Sequence, residues 1–244
     1  MIRIAQPTFL TVLLSGLLLL ASCNKESHLV GGTPVDAAQF ANTSTYDMLK
    51  GNTNFDTLLL LIDAAGMKDV VNQEGNSFFV PHDNSTLAYL AARTTIVQNI
   101  YGRDKRFALD SLLYYLSNNV RGTRDSMKMY MLNQRVTYDV MNSFGKSYVT
   151  QLPGDTAIIS YEEVGRDANS TLGYSTAVST IPKLVYFTHL WYRFLPSEAT
   201  PVSKMPNTLG VRTLVKTSGI RTRNGVVHAL DPASHSLFFF GTKR

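Results

Sequence analysis

One group of side chains in this 244-residue chain has the types that metal binding or acid–base catalysis requires. Its spacing shows neither the i, i+4 pairing nor the short intervals of known metal and catalytic motifs. The only adjacent carboxylates, Glu162 and Glu163, point to opposite faces if they lie on a strand, so they cannot flank one glycosidic bond. We therefore expect no catalytic residues, no metal site and no cofactor, and the chain is not predicted to be an enzyme. The group consists of His82, Asp83, His189, His228 and His235.

Catalysis stays open as an alternative in which His82 and Asp83 converge with His228. Acid–base partners need near hydrogen-bond contact, so the folded positions of these residues test it directly. The sequence contains no serine nucleophile elbow, phosphate-binding loop or EF-hand pattern.

The amino-acid composition excludes several kinds of covalent link, metal site and partner. Cys23 is the only cysteine, so the chain forms no internal disulfide and no thiolate-rich zinc site. The formal net charge of +5 is spread along the chain, and other residues interrupt its basic clusters. Nucleic-acid binding requires a dense basic stripe, so no nucleic-acid partner is predicted.

The first 23 residues have the charged, apolar and small-residue order of a secretory signal peptide. Arg3 carries the only charge before the apolar run Phe9–Leu20. This run is shorter than the roughly 20 residues needed to span a bilayer. Leu20-Ala21-Ser22-Cys23 resembles the lipobox of bacterial lipoproteins, in which the cysteine is lipidated and becomes the first mature residue.

The lipobox resemblance implies a signal peptide over residues 1–22 and a lipid, with palmitate as its acyl component, on Cys23. Residues 23–44 are polar and contain glycine and proline, so we predict a flexible tether to the folded domain. The chain is then expected in the envelope of a Gram-negative cell, bound to the outer membrane through its lipid. Whether it faces the periplasm or the cell surface stays open.

Helical periodicity dominates the first part of the remaining chain. Apolar residues recur at helical spacing in Asn54–Ala65. Asp83 is expected to cap a helix that runs to about Ala92, directly after a short strand ended by Pro81. The other predicted elements of this part are helices Tyr46–Lys50 and Phe107–Asn118 and strand Ser77–Val80.

After residue 125 the chain is rich in short β-branched and aromatic segments separated by turns. Ile181–Leu195 is ambiguous between strand and helix. Because helices come first and strands later, the order favours an α+β domain over a doubly wound sheet. The predicted strands are Met129–Leu132, Val136–Val140, Ser147–Leu152, Ala157–Tyr161, Gly210–Lys216, Gly225–Leu230 and Ser236–Phe240.

Four segments, in this order, resemble the fasciclin domain of cell-surface adhesion proteins. Phe55–Val71 is similar to the family's first helix and its glycine-terminated turn. Asn76–Leu87 resembles the signature in which a strand is followed by Pro-Thr-Asp and a helix. Asp110–Gly122 resembles the leucine-rich helix that follows. Lys216–Asp231 contains Asn-Gly-Val-Val-His, in register with the family's closing Asn-Gly-Val-Ile-His.

The fasciclin resemblance implies a domain over residues 45–241, with N-terminal helices packed on a twisted β-sandwich or wedge. It also implies an insertion at about 162–206, before the last strands. Asn118-Asn119 stands where the family has Tyr-His, so adhesion roles of that dipeptide do not transfer. The signature residues with an expected structural role are Pro81, Asp83, Asn224, Gly225 and His228.

His228 is expected to lie half-buried on a strand. Its hydrogen-bond partner is expected near a turn at Asn224-Gly225, a dipeptide that suits positive φ. Both expectations describe a structural histidine.

The insertion contains an aromatic stretch with two possible roles. Trp191, Tyr192 and Phe194, with Arg193 between them, are candidate ligand-binding residues, since amphipathic aromatic side chains are favoured at recognition surfaces. The same residues could instead fill a core, and the sequence leaves both roles open. An insertion is also where partner specificity is expected, because binding residues concentrate on loops.

Together these features predict a lipid-anchored binding or adhesion module of the cell envelope, whose ligand is a protein or an extracellular glycan. The alternative is an accessory subunit of an outer-membrane assembly for nutrient (glycan) uptake. Catalysis through His82, Asp83 and His228 is the third hypothesis.

Overall fold

A computed structural model of the chain describes residues 39–163 and 183–242. The predicted signal peptide, Cys23 and most of the tether lie outside the described residues, as do residues 164–182 of the insertion. Within the described ranges, none of the helices combines the length and the apolar character needed to cross a membrane.

The first helices form where apolar periodicity predicts them. Ser44 caps α1 (Thr45–Lys50), because its hydroxyl accepts the N–H of Asp47 at 3.1 Å. A 3₁₀ turn then leads into α2 (Asp56–Ala64), which confirms the predicted helix. The other helices of the described residues are α3 (Lys68–Val71), α4 (Asp83–Tyr101), α5 (Leu109–Ser117) and α6 (Thr123–Ser126).

Helix α4 extends well beyond its predicted end near Ala92. The extension contains β-branched residues, which lower helix propensity. The Thr94 hydroxyl donates to the carbonyl of Phe107 at 3.2 Å and accepts its N–H at 3.1 Å. These tertiary bonds outweigh the weak propensity, and Gly102, with φ of +105°, ends the helix.

Seven strands of the described residues form one mixed sheet. They are β1 (Asn76–Val80), β2 (Met131–Leu132), β3 (Lys146–Val149), β4 (Thr156–Glu163), β5 (Lys183–Leu190), β6 (Gly210–Arg221) and β7 (Gly225–Leu230). Their order is β2-β1-β7-β6-β5-β4-β3, and neighbours are antiparallel except β1 and β7, which run parallel. The predicted α+β class is confirmed.

The hydrophobic core combines the apolar faces of α2 and α5 with buried side chains of the sheet. Leu58, Leu61 and Ile62 of α2 are fully buried, as their helical spacing predicts. They join the same cluster as Phe79 and Phe187 of strands β1 and β5. The early helices therefore pack against the sheet that the later strands build.

Val136–Val140 and Ser236–Phe240 do not form the predicted strands, because each contains a 3₁₀ turn. In the second, Phe238 has φ of +59°, outside the range of a strand. Its N–H donates to the hydroxyl of Tyr130 at 2.7 Å, so a tertiary hydrogen bond overrides β propensity. The turns span Tyr138–Val140 and Leu237–Phe239.

Part of the predicted insertion at residues 162–206 belongs to the sheet. Strand β5 pairs with both β4 and β6, and its Phe187 is fully buried. The ambiguous stretch Ile181–Leu195 is thus a strand where the structure describes its first part, and its irregular part begins at Trp191. Aromatic side chains occupy both faces of β5, so the sequence lacks the alternation of polar and apolar residues that would predict a strand.

Candidate binding cleft at the end of strand β5

The segment that follows β5 carries the four candidate ligand-binding residues. The N–H groups of Trp191 and Tyr192 both donate to the carbonyl of Leu209, at 2.9 and 3.1 Å. Leu209 directly precedes β6, so these bonds tie together the two ends of the 191–209 connection. Gly210 is needed there, because a Cβ would clash with the carbonyl oxygen of His189.

Trp191, Tyr192, Arg193 and Phe194 line a cleft of about 500 Å³. This volume lies within the range of known small-ligand sites, roughly 300–1,000 Å³. Other lining residues come from the start of β4 and from β3, whose alternate side chains point to solvent. The wall residues that matter chemically are Ser147, Val149, Asp155 and Thr156.

The aromatic residues of the cleft divide between solvent and core. Tyr192 is 55% exposed, whereas Trp191 and Phe194 are half-buried. Phe194 packs against a small apolar cluster that includes Val202. Phe194 therefore packs in a small core, while Tyr192 and part of Trp191 give the cleft exposed ring surface, and their ligand-binding role stays a prediction.

A carboxylate and a histidine lie together at the wall of the cleft. Asp155 accepts a hydrogen bond from the Thr150 hydroxyl at 2.8 Å, and its other oxygen is 3.9 Å from Nδ1 of His189. The His189 ring stacks on Phe239 at 4.6 Å and meets Trp191 edge-on at 6.4 Å. A hydrogen bond from Thr150 and packing on two aromatic rings thus hold the polar pair in place.

Burial determines whether His189 carries a charge. It lowers the pKa of His189, and the nearby Asp155 carboxylate only partly opposes that shift. His189 is therefore neutral at pH 7, which leaves Asp155 as a negative group under the cleft. Arg193 is exposed, lines the same cleft and supplies positive charge.

The cleft thus offers ring faces beside hydrogen-bonding groups of both signs. Aromatic faces stack on the apolar faces of sugar rings and on apolar side chains. Asp155 accepts hydrogen bonds, Arg193 donates them, and the Ser147 hydroxyl does both. This combination suits recognition of a neutral polar ligand with apolar faces.

Sequence reasoning missed Ser147, Val149 and Asp155. The first two alternate with buried Tyr148, so the period-2 pattern of β3 was their only signal. Asp155 follows a Pro-Gly pair that predicts a turn, and only the pairing of β4 with β5 brings it beside His189.

The signature residues Asn224 and Gly225 do not form the expected positive-φ turn, since neither has positive φ. The Asn224 side-chain oxygen accepts the N–H of Thr45 at 2.9 Å, which joins α1 to the start of β7. A Cβ on Gly225 would clash with the backbone carbonyl of Asn76 in β1. The glycine is therefore needed for the close approach of two parallel strands.

His228 is fully buried, not half-buried, and its partners lie away from the expected turn. Nε2 lies 2.9 Å from the carbonyl of Val136, which can only accept, so Nε2 carries the hydrogen. Nδ1 then accepts from the hydroxyl of Ser218 at 2.9 Å. The ring stacks on Phe79 at 4.5 Å. Burial lowers the pKa of His228 to about 4, so the ring is neutral and both nitrogens are bonded.

Asp83 caps a helix other than the predicted one. Its two oxygens accept the N–H groups of Thr57 and Leu58 in α2, at 2.9 and 3.0 Å. Pro81, between β1 and Asp83, is buried. These contacts join the end of β1 to the start of α2.

His82 packs edge-on against Phe55, with ring centroids 5.6 Å apart, and lines a second cleft of about 470 Å³. Asp83 and His228 thus bond to other groups, and no hydrogen bond joins the three within the described ranges. Nor do the described residues contain a group of three or more His, Cys, Asp or Glu side chains that could hold a metal ion.

Comparison with known proteins gives similarity at the level of structure. No protein family matches the chain, and no curated protein matches it. Among solved structures the chain is similar to a FAS1 domain pair from the insect cell adhesion molecule fasciclin I, with 11% identity and a TM-score of 0.38. The similarity covers 75% of this chain and 45% of that one. The chain therefore spans less than half the length of the structure it matches.

Proposed function

We propose that this chain is a fasciclin-like binding module, anchored to the outer membrane by a lipid on Cys23, that takes an extracellular glycan or a protein segment in the cleft beside β5. The observation that carries the proposal is the convergence of Trp191, Tyr192 and Arg193 with Asp155 on one cleft of about 500 Å³.

The chemistry of the cleft favours a glycan over a protein segment. Two partly exposed rings, Trp191 and Tyr192, supply stacking surface, and Asp155, Ser147 and Arg193 supply acceptors and donors for hydroxyl groups. A protein segment would use the rings equally well. The several donors and acceptors close to these rings match the closely spaced hydroxyl groups of a sugar.

The contacts of the two signature segments support the fasciclin-like part of the proposal. β1 and β7, which carry them, are parallel neighbours with Phe79 opposite His228. Asp83 and Asn224 then bond to the backbone of α2 and α1. The two signature segments, far apart in sequence, thereby form one junction between the helices and the sheet. This shared structural role is a reason for both segments to be present in one chain.

An array of neutral, amino and acidic oligosaccharides, with a parallel panel of immobilised extracellular proteins, tests the proposal. We expect the purified chain to bind one class of oligosaccharide. The double variant Trp191→Ala/Tyr192→Ala, which keeps the packing of Phe194, should lose that binding while keeping the wild-type far-ultraviolet circular dichroism spectrum. Tyr114→Ala, which removes another exposed tyrosine ring outside the cleft, is the control.

Binding that survives in the double variant removes the cleft from the proposal. Co-purification of the native protein with an outer-membrane transporter would instead favour the accessory-subunit alternative.

A further inference from the structure

Helix α4 ends in an exposed tip. Tyr89 is its last fully packed residue, and every residue of the tip, which we define as Ile100–Arg106, is exposed. Ile100 and Tyr101 are 65% and 69% exposed. Ile96, one turn earlier, is also 41% exposed, so the three side chains form an apolar cluster, and clustered exposed apolar side chains, unlike single ones, mark interaction surfaces.

Hydrogen bonds hold the tip in one shape. The N–H of Gly102 donates to the carbonyl of Gln98 at 3.0 Å, and the Gln98 side chain donates to the carbonyl of Arg103 at 3.2 Å. At the base, Thr94 is bonded to both backbone groups of the buried Phe107. The exposed side chains are therefore presented by a fixed backbone.

The charge of the tip is positive. Arg103, Lys105 and Arg106 are exposed, and Asp104 is the only acidic residue among them. Asp104 pairs with Lys105 at 2.8 Å, but both side chains remain mostly exposed. The tip therefore combines two apolar side chains with a net charge of +2.

We propose that this tip docks on an anionic phospholipid surface, with Ile100 and Tyr101 at the boundary between headgroups and acyl chains and the basic residues over the phosphates. Tyrosine is enriched at that depth of a bilayer. Basic residues at an anionic surface each strengthen binding by roughly fivefold. An acidic protein would pair with the charges but would leave Ile100 in water.

The tip and the predicted lipid can reach one bilayer. The described chain starts at Gln39, which lines a cleft with His82, at the opposite end of α4 from the tip. The 19 residues of α4 span roughly 28 Å. The segment from Cys23 to Gln39 spans up to about 50 Å when extended, which exceeds that distance. The docking itself does not depend on the lipid.

A fluorophore on the tip tests the proposal in the full chain. Because Cys23 is the only cysteine, the variant Cys23→Ser/Tyr101→Cys takes an environment-sensitive label at one position. With vesicles of phosphatidylcholine and phosphatidylglycerol, we expect a blue shift and quenching by lipid-attached nitroxides. With phosphatidylcholine alone, both effects should be much weaker, and added salt should reduce them.

Leu87 supplies the matched control, because it lies on the same helix and is 59% exposed. The label in Cys23→Ser/Leu87→Cys should not shift. Charge removal by Arg103→Gln/Lys105→Gln/Arg106→Gln should weaken vesicle binding roughly 100-fold, and Asp104→Asn should strengthen it.

Absence of a shift at position 101 with anionic vesicles overturns the proposal. An equal shift at position 87 overturns it too, since contact would not then be confined to the tip. Binding of the labelled chain to heparin but not to vesicles would assign the tip to an acidic polymer instead.

Discussion

The side-chain carboxylate of Asp83 accepts the backbone N–H of Leu58, 25 positions earlier in the chain, at 3.0 Å. Its other oxygen accepts the N–H of Thr57 at 2.9 Å. Phe55, the residue at the N-cap of α2, has no side-chain oxygen for these groups. Asp83, the first residue of α4, thus accepts N–H groups at the start of α2 that have no partner within α2. These bonds fix the end of β1 against α2.

Loss of this bridge should destabilise the fold. We expect Asp83→Ala to lower the free energy of unfolding by about 1–2 kcal/mol, the usual effect of losing a helix cap, and Asp83→Asn to lower it less. Urea denaturation measures both. Asp110, exposed near the start of α5, is the control because it bonds only to the adjacent Ser111. An equal loss in Asp110→Ala would contradict the bridging role.

The buried His228 should make the free energy of unfolding decrease as the pH is lowered. Burial lowers its pKa in the folded chain to about 4, whereas in the unfolded chain it is about 6.5. Between these values the unfolded chain binds the proton and the folded chain does not, so stability is complete above pH 6.5 and decreases towards pH 4. The decrease approaches about 1.4 kcal/mol per pH unit for one such histidine.

His228→Gln should flatten the dependence of unfolding free energy on pH by about that amount between pH 6.5 and 4. Urea denaturation at several pH values provides the slopes. Ser218→Ala is the control, since it removes a hydrogen-bond partner but keeps the titrating ring. Identical slopes in wild type and His228→Gln would show that another group causes the pH dependence.

Gly225 should tolerate no side chain. Its Cβ would meet a backbone oxygen of Asn76, which cannot move aside without breaking the β1–β7 pairing. We expect Gly225→Ala to cost about 3 kcal/mol or more in unfolding free energy. Gly154 is the control, because its φ is +81° and a Cβ there would meet no other atom. A substitution at Gly154 therefore measures the cost of backbone strain without a steric clash. Gly154→Ala should cost only about 1 kcal/mol, and equal costs would contradict the packing account.

The sequence predicts best those elements whose apolar pattern agrees with local signals. α2 has helical spacing, and β7 matches its predicted bounds Gly225–Leu230. Prediction failed where a distant contact decides the backbone, as at Phe238, whose N–H bonds to Tyr130. The same reason explains why the role of Asp83 was predicted wrongly. It caps a helix whose capped residue Leu58 lies 25 positions earlier, and residue spacing near Asp83 does not indicate that contact.

The candidate cleft was half predictable. The sequence marks Trp191, Tyr192, Arg193 and Phe194 as an aromatic stretch, and all four line the cleft. Asp155 could not be predicted, because only the pairing of β3, β4 and β5 brings it to the same cleft.

Cys23 lies outside the described residues, and its lipidation is a prediction. Cells grown with labelled palmitate should incorporate the label into the wild-type chain but not into Cys23→Ser. The variant should also leave the membrane fraction, because the acyl chains would supply the stable anchor. Ser27→Ala, four positions away, is the control and should stay labelled. Labelled palmitate in Cys23→Ser would place the lipid elsewhere.

The affinity of the cleft for its ligand tests the central claim most directly. Trp191 is the only tryptophan in the chain, so its fluorescence reports binding in the cleft without any label. We expect titration with the oligosaccharide selected on the array to change this fluorescence.

By calorimetry with the same oligosaccharide, Tyr192→Ala should weaken binding about tenfold, which corresponds to loss of one stacked ring. The control Tyr114→Ala removes a ring that is 62% exposed outside the cleft, and its affinity should equal that of the wild type. Equal affinities in wild type and Tyr192→Ala, with unchanged Trp191 fluorescence, would contradict the assignment of the cleft as the binding site.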